Sequence, residues 1–155
     1  MQNILTRFGI GDKVKKYMGK GGDPMKKLTQ SEWEIMDILW GADHPLSRSE
    51  ILEHPGERGW KDSSLHILIN SMLEKGAIQV AGYQKTGSHY GRTFAPAFTQ
   101  SQYAVSQLRS MGIGERGKNQ VVKNFFSDLL EGLYLDEDTL EELEQMLKEK
   151  RGRGK

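Results

Sequence analysis

Side chains that do covalent or metal chemistry are thinly spread in this sequence. Cysteine is absent from all 155 residues, which excludes disulfides, thiolate nucleophiles and cysteine-ligated metal centres. The histidines, His44, His54, His66 and His89, show no metal-ligand spacing. There is no P-loop, no nucleophile motif and no carboxylate pair set for acid–base work. Asp136-Glu137-Asp138 reads as a helix-start cluster favoured by the helix dipole rather than as a calcium loop. No enzymatic activity, metal or cofactor is expected. What does gather is hydrogen-bonding capacity. In "WKDSSLHILINSMLEKG", residues 60–76, helical spacing puts Leu65, Leu68, Ile69, Met72 and Leu73 on one face. Ser63, Ile67, Asn70 and Glu74 lie opposite, with His66 and Ser71 at the flanks. Hydroxyl, imidazole and amide groups around one apolar side chain suit recognition of a polar surface. They equally suit a solvated face with a stray isoleucine, because single exposed apolar residues are common.

The surrounding elements decide how such a face is presented. Thr29-Gln-Ser-Glu32 is a capping box that opens a helix through Trp33, Ile35, Met36, Ile38, Leu39 and Trp40 to Gly41. Ser47-Arg-Ser-Glu50 is a second box, opening a short helix that ends before Pro55. The third helix spans about 62–75, with Asp62 or Ser63 as its cap and Lys75-Gly76 as its end. Ile78 and Val80 then alternate with polar residues, Thr86 to Gly91 reads as a long glycine-punctuated tip, and Arg92-Thr-Phe94 is extended again. Three short helices and a hairpin are the order of a winged helix-turn-helix domain. Helices follow at about 99–111, 119–132 and from Asp136 or Asp138 to Lys150, with "RGRGK" expected to fray. The fold class is therefore mainly α with a small β-hairpin. It divides into a basic extension (1–27), a winged-helix domain (28–98) and a helical dimerisation region (99–150).

Composition suits a water-soluble chain: 28% of residues are charged and 36% hydrophobic. No apolar run is long enough to span a bilayer, and the N-terminus is too densely charged for a secretory segment, so a cytoplasmic location without membrane insertion is expected. The net charge of +1 is unevenly spread, at +5 over residues 1–27, −3 over 28–98 and −1 over 99–155. A DNA-binding domain is usually basic, and the middle segment is not. Residues 1–24, ending in Gly-Gly-Asp-Pro, read either as a basic arm (Arg7, Lys13, Lys15, Lys16, Lys20) or as the product of a start codon upstream of Met25.

"LTQSEWEIMDILW", "LSRSEIL", "SSLHILINSMLEKGAI" and "YGRTFAPAFTQSQYA" together resemble the BlaI/MecI/CopY family of bacterial repressors, over roughly residues 28–150. The resemblance implies a homodimeric winged-helix repressor on a dyad-symmetric operator, with a C-terminal dimerisation arm. It excludes the copper-responsive branch, whose C-terminal cysteines are missing. Where the family usually shows a threonine, a basic residue and another threonine on the third helix, this chain has Ser64, His66 and Ile67. Classical members are inactivated when a membrane-bound sensor metalloprotease responds to β-lactam and an Asn-Phe bond in the arm is cut. Asn124-Phe125 falls at approximately the matching place.

Placed in a major groove, the third helix assigns Asn70 to adenine, His66 to guanine and Ile67 to a thymine methyl, with Ser63 and Ser64 on phosphate. Lys85, Ser88, His89 and Arg92 on the wing (82–92), with Arg48 and Lys61 at helix starts, are candidates for the DNA backbone. Val122, Phe125, Phe126, Leu129 and Leu133 belong to an apolar arc too broad for one intramolecular contact, and Leu140, Leu143 and Leu147 add a second stripe. Burial against a second copy is the economical explanation of both, and a two-fold dimer matches a dyad operator; a larger monomeric core is the alternative. The rival reading is a winged-helix protein-interaction module that no longer binds DNA specifically, with Ile67 as part of its partner surface.

Overall fold

The same two-residue logic starts each of the first helices. Thr29 Oγ1 accepts the Glu32 N–H at 3.3 Å while Glu32 Oε2 accepts the Thr29 N–H at 2.9 Å, opening α1 (Gln30–Gly41). Ser47 and Glu50 repeat the exchange at the start of α2 (Arg48–Glu53). The computed structural model describes residues 25–154, so the basic extension over 1–24 lies outside the described residues. A third capping box, Thr99 with Gln102, opens α4 (Gln100–Ser110).

Between α2 and α4 stands α3 (Leu65–Glu74), entered through a 3₁₀ turn at Asp62–Ser64. The expected aspartate or serine cap is not made: no side chain caps either element. Asp62 instead pairs with the Arg58 guanidinium, which also donates to the Leu52 carbonyl and lies 4.6 Å from the Trp60 ring centroid. The far end follows the sequence closely. Gly76 takes φ +71°, its N–H bonds to Leu73 O and that of Ala77 to Met72 O, a Schellman stop that a residue with a Cβ would strain.

The chain then forms β2 (Ile78–Thr86) and β3 (His89–Pro96), antiparallel, with β1 (Leu46–Ser47) on the other side of β3. The sequence reading missed β1, and its long hairpin tip is wrong. Thr86 pairs with His89, so the turn is Gly87-Ser88 alone, with Gly87 at φ +61° and no positive φ at Ser88, the pattern of a type II′ turn. Ala81 is an extra residue between the pairs Val80–Phe94 and Gly82–Thr93, a β-bulge.

Two compact units separate between Met111 and Gly112. In the first, Ile35, Met36, Leu39, Ile51, Leu65, Ile69, Met72, Ile78 and Phe94 form one core from three helices and the sheet. α4 joins it through Tyr103, which stacks on Phe98, lies beside Trp33 and accepts the Leu28 N–H at 2.9 Å. Ser106 and Gln107 hold the backbone of Met25. The second unit holds α5 (Asn119–Gly132) and α6 (Glu137–Arg153), the latter capped by Asp136. α6 runs through Arg151-Gly152-Arg153, where fraying was expected, because its last turn carries Lys150, Arg151 and Arg153 at the negative end of the helix dipole. No hydrophobic side chain among the described residues of this unit is buried.

Candidate nucleic-acid interface

α3 presents its outer face as the spacing predicts. Leu65, Ile69 and Met72 are buried, with Leu68 and Leu73 partly so. Ser63, His66, Ile67 and Asn70 are exposed, and Ser64 is half-buried. Ile67 is 62% exposed, so the core has no use for it. Ser71 leaves this face: its hydroxyl donates to Glu32 Oε1 at 2.6 Å, and Lys75 Nζ reaches Glu32 Oε2 at 2.6 Å. Glu32 is 2% exposed and ties the start of α1 to the end of α3. Burial pushes its carboxyl up, but Lys75, the Ser71 hydroxyl and the Thr29 N–H outweigh that and hold it below the usual range. The angle at which α3 leaves the core is thereby fixed by a charged clasp.

The wing divides by face. Cross-strand partners point the same way, so the pairs Tyr83–Arg92 and Lys85–Tyr90 share the face of Phe94, while Gln84, Thr86 and His89 occupy the other. Lys85 and Arg92 are thus brought together, His89 is turned away from them, and Ser88 sits in the turn. Arg92 lies 5.4 Å from the Phe94 ring centroid, and one cleft is lined by Arg92 together with Ser47, Arg48 and Ser49. Lys61 stands exposed just before the 3₁₀ turn. Sequence reasoning passed over Tyr83 and Tyr90, because without the bulge Tyr83 would point to the other face.

The charge of this domain is unevenly placed. Of the six cations in residues 28–98, Arg58 and Lys75 are engaged by Asp62 and Glu32. Arg48, Lys61, Lys85 and Arg92 make no ion pair among the described residues. Residues 77–98 contain no acidic residue at all. The acidic residues lie on the helices, Glu74 of α3 included, and in the loops before α3, and the hairpin is locally cationic.

In the arm, Val122 and Phe125 are partly covered, whereas Phe126, Leu129, Leu133, Leu140, Leu143 and Leu147 are exposed. Phe125 and Phe126 meet edge-on at 5.7 Å. Asn124 lies within α5 and accepts from Gln120 Nε2 at 3.0 Å.

Three helices, a three-stranded antiparallel sheet with a projecting hairpin, and a following helical arm define a winged-helix regulator. The chain belongs to the penicillinase repressor family, whose model matches residues 28–149, and its role is transcriptional repression. It is 26% identical over 124 residues to the methicillin resistance regulatory protein MecI of Mammaliicoccus sciuri, covering 80% of this chain and 95% of that protein. The MecI of Staphylococcus epidermidis is 25% identical over the same shares. The penicillinase repressor of Bacillus licheniformis is 24% identical over 134 residues, covering 84% and 99%. The family resemblance read from the helix motifs is borne out. Among the described residues no helix is long and apolar enough to cross a membrane.

Proposed function

We propose that this chain is a DNA-binding repressor that occupies a dyad-symmetric operator as a homodimer, with α3 in the major groove and the wing on the adjoining backbone. The observation that carries this is the outer face of α3. Ser63, His66, Ile67 and Asn70 are exposed at the entry and first two turns of α3, opposite the buried Leu65, Ile69 and Met72 and beside a hairpin that carries cations and no acid. Glu74, exposed further along, confines the contact to those turns. Asn70 matches the donor–acceptor pair of adenine, and Ile67 matches a thymine methyl. Ser63 and Ser64, in the 3₁₀ turn that enters α3, offer hydroxyls that suit a phosphate oxygen. Arg48, Lys61, Lys85 and Arg92 supply the attraction that does not depend on sequence, while Ser88 in the turn and His89 on the opposite face of the ribbon are lesser candidates. No catalytic role is assigned to any residue.

The homodimer reading is supported by the apolar faces of α5 and α6, on which Phe126, Leu130, Leu133 and Leu147 are exposed and no hydrophobic side chain among the described residues of their unit is buried. Relief by proteolysis belongs to the same reading. The Asn124-Phe125 bond lies inside α5, so a sensor-linked protease can take it in extended form only after local opening of that helix. Footprinting of the DNA upstream of the protein's own gene tests the proposal. Two protected half-sites centred about 10 bp apart, or a multiple of that, are expected from a two-fold dimer. Uniform, feeble protection along the fragment would sink the operator reading and turn Ile67 into evidence for a protein partner.

A further inference from the structure

The hairpin contains a feature that the low charge of this domain makes informative. Tyr83 and Tyr90 are each 71% exposed, and their side chains pack into no core. The bulge at Ala81 reverses the alternation of the outer half of β2. Tyr83 and Lys85 thereby take the face on which Tyr90 and Arg92 already stand. Two cross-strand pairs result, Tyr83 with Arg92 and Lys85 with Tyr90, so each hydroxyl-bearing ring faces a cation and the two kinds alternate down the ribbon. Further in, the same face holds Leu46, Phe94 and Ile78 and packs on the helices that carry α3. Neither phenol has a hydrogen-bond partner among the described residues.

We infer that Tyr83 and Tyr90 are phosphate-binding residues of the wing. Their hydroxyls donate to backbone oxygens of duplex DNA between the contacts made by Lys85 and Arg92. This rests on the DNA reading above and deepens it. A phenol is a donor with no charge of its own, so it adds affinity without releasing a counterion. A domain with few free cations can in this way hold a phosphate backbone more tightly than its salt dependence indicates. The cationic, acid-free hairpin favours a polyanion over a protein surface as the occupant of this face.

The test compares the full-length protein with Tyr83→Phe/Tyr90→Phe and with Lys85→Ala. Binding is measured by fluorescence anisotropy on the protein's own upstream duplex and on a scrambled duplex, across a salt series. Removing only exposed hydroxyls leaves the fold intact, which matching circular dichroism and melting curves verify. The tyrosine double variant is expected to weaken binding to both duplexes by the same factor, about tenfold or more, with the slope of log K against log salt unchanged. Lys85→Ala is expected to lower that slope by roughly two for a dimer. Affinity of the tyrosine variant within twofold of wild type would overturn the inference and leave the face for a protein. A loss confined to the upstream duplex would overturn the phosphate assignment in favour of base reading. Wild type that binds neither duplex would instead bring down the DNA reading itself, and this inference with it.

Discussion

The winged unit and the helical arm handle apolar side chains in opposite ways. In the first, Ile35, Met36, Leu39, Ile51, Leu65, Ile69 and Met72 are all at or near zero exposure, and on α3 Ile67 stands out as the aliphatic side chain turned to solvent. In the second, Phe126, Leu129, Leu130, Leu133, Leu143 and Leu147 are all exposed, so no single residue stands out and the whole face asks for a partner. The first unit satisfies its apolar surface within one chain and shows a small, chemically varied remainder. The second cannot, and its remainder is uniform and broad. A varied remainder suits reading a sequence; a uniform one suits a second copy of itself.

The largest effect that would break this contrast lies in the arm. Phe126→Glu with Leu129→Glu removes nothing from the core of the winged unit. It is expected to convert the protein to monomer in sedimentation velocity and to lower operator affinity by about 10²–10⁴-fold, the loss of two-site binding. A variant that stays dimeric would show that another surface joins the copies. Next comes the clasp between α1 and α3. Glu32→Ala leaves Lys75 and Ser71 without their buried acceptor and should cost about 3 kcal/mol in urea unfolding. Because the folded carboxyl is held below its ordinary value of 4.5, that difference should be full above about pH 4.5 and fade as pH falls through the depressed value.

Ile67→Ala sharpens the comparison from the other side. An exposed side chain outside the core should change stability by no more than about 0.5 kcal/mol. If Ile67 covers a base methyl, operator affinity should still fall by about tenfold. Equal losses in folding and binding would mean that Ile67 is packed rather than presented. The smallest effect belongs to His44, whose ring is hydrogen-bonded to Asp43 and Glu50 and is held above its usual value by them. A raised folded value contributes stability below the ordinary 6.5 and loses it as pH rises through the folded value. The difference between wild type and His44→Ala in urea midpoint should therefore be full below about pH 6.5 and shrink as pH rises through the raised folded value.

These elements were unequally legible in the sequence. The capping boxes at Thr29 and Ser47, the stripe of α3 and the broad arc of α5 were readable because each is a local pattern with a helical period. β1 was not, since two residues carry no period and Leu46-Ser47 becomes a strand only by pairing with β3. The glycines between Thr86 and Gly91 suggested a long loop, yet Gly91 is a paired strand residue and only Gly87 needs the turn. Asp62 looked like a cap until Arg58 claimed it, and Ser71 looked like part of the outer face until Glu32 did. The wing tyrosines depended on one extra residue at Ala81, which reverses a face and leaves no mark in composition.

The central claim is that the outer face of α3 and the wing read a particular DNA. The most direct measurement is fluorescence anisotropy of the purified protein on its own upstream duplex and on an unrelated one across a salt series. Binding to the upstream duplex should be tighter by about 10³-fold or more. The four cations of residues 28–98 that make no ion pair among the described residues should contribute no more than about −7 to the logarithmic salt slope of a dimer. Equal affinities for both duplexes would contradict the central claim.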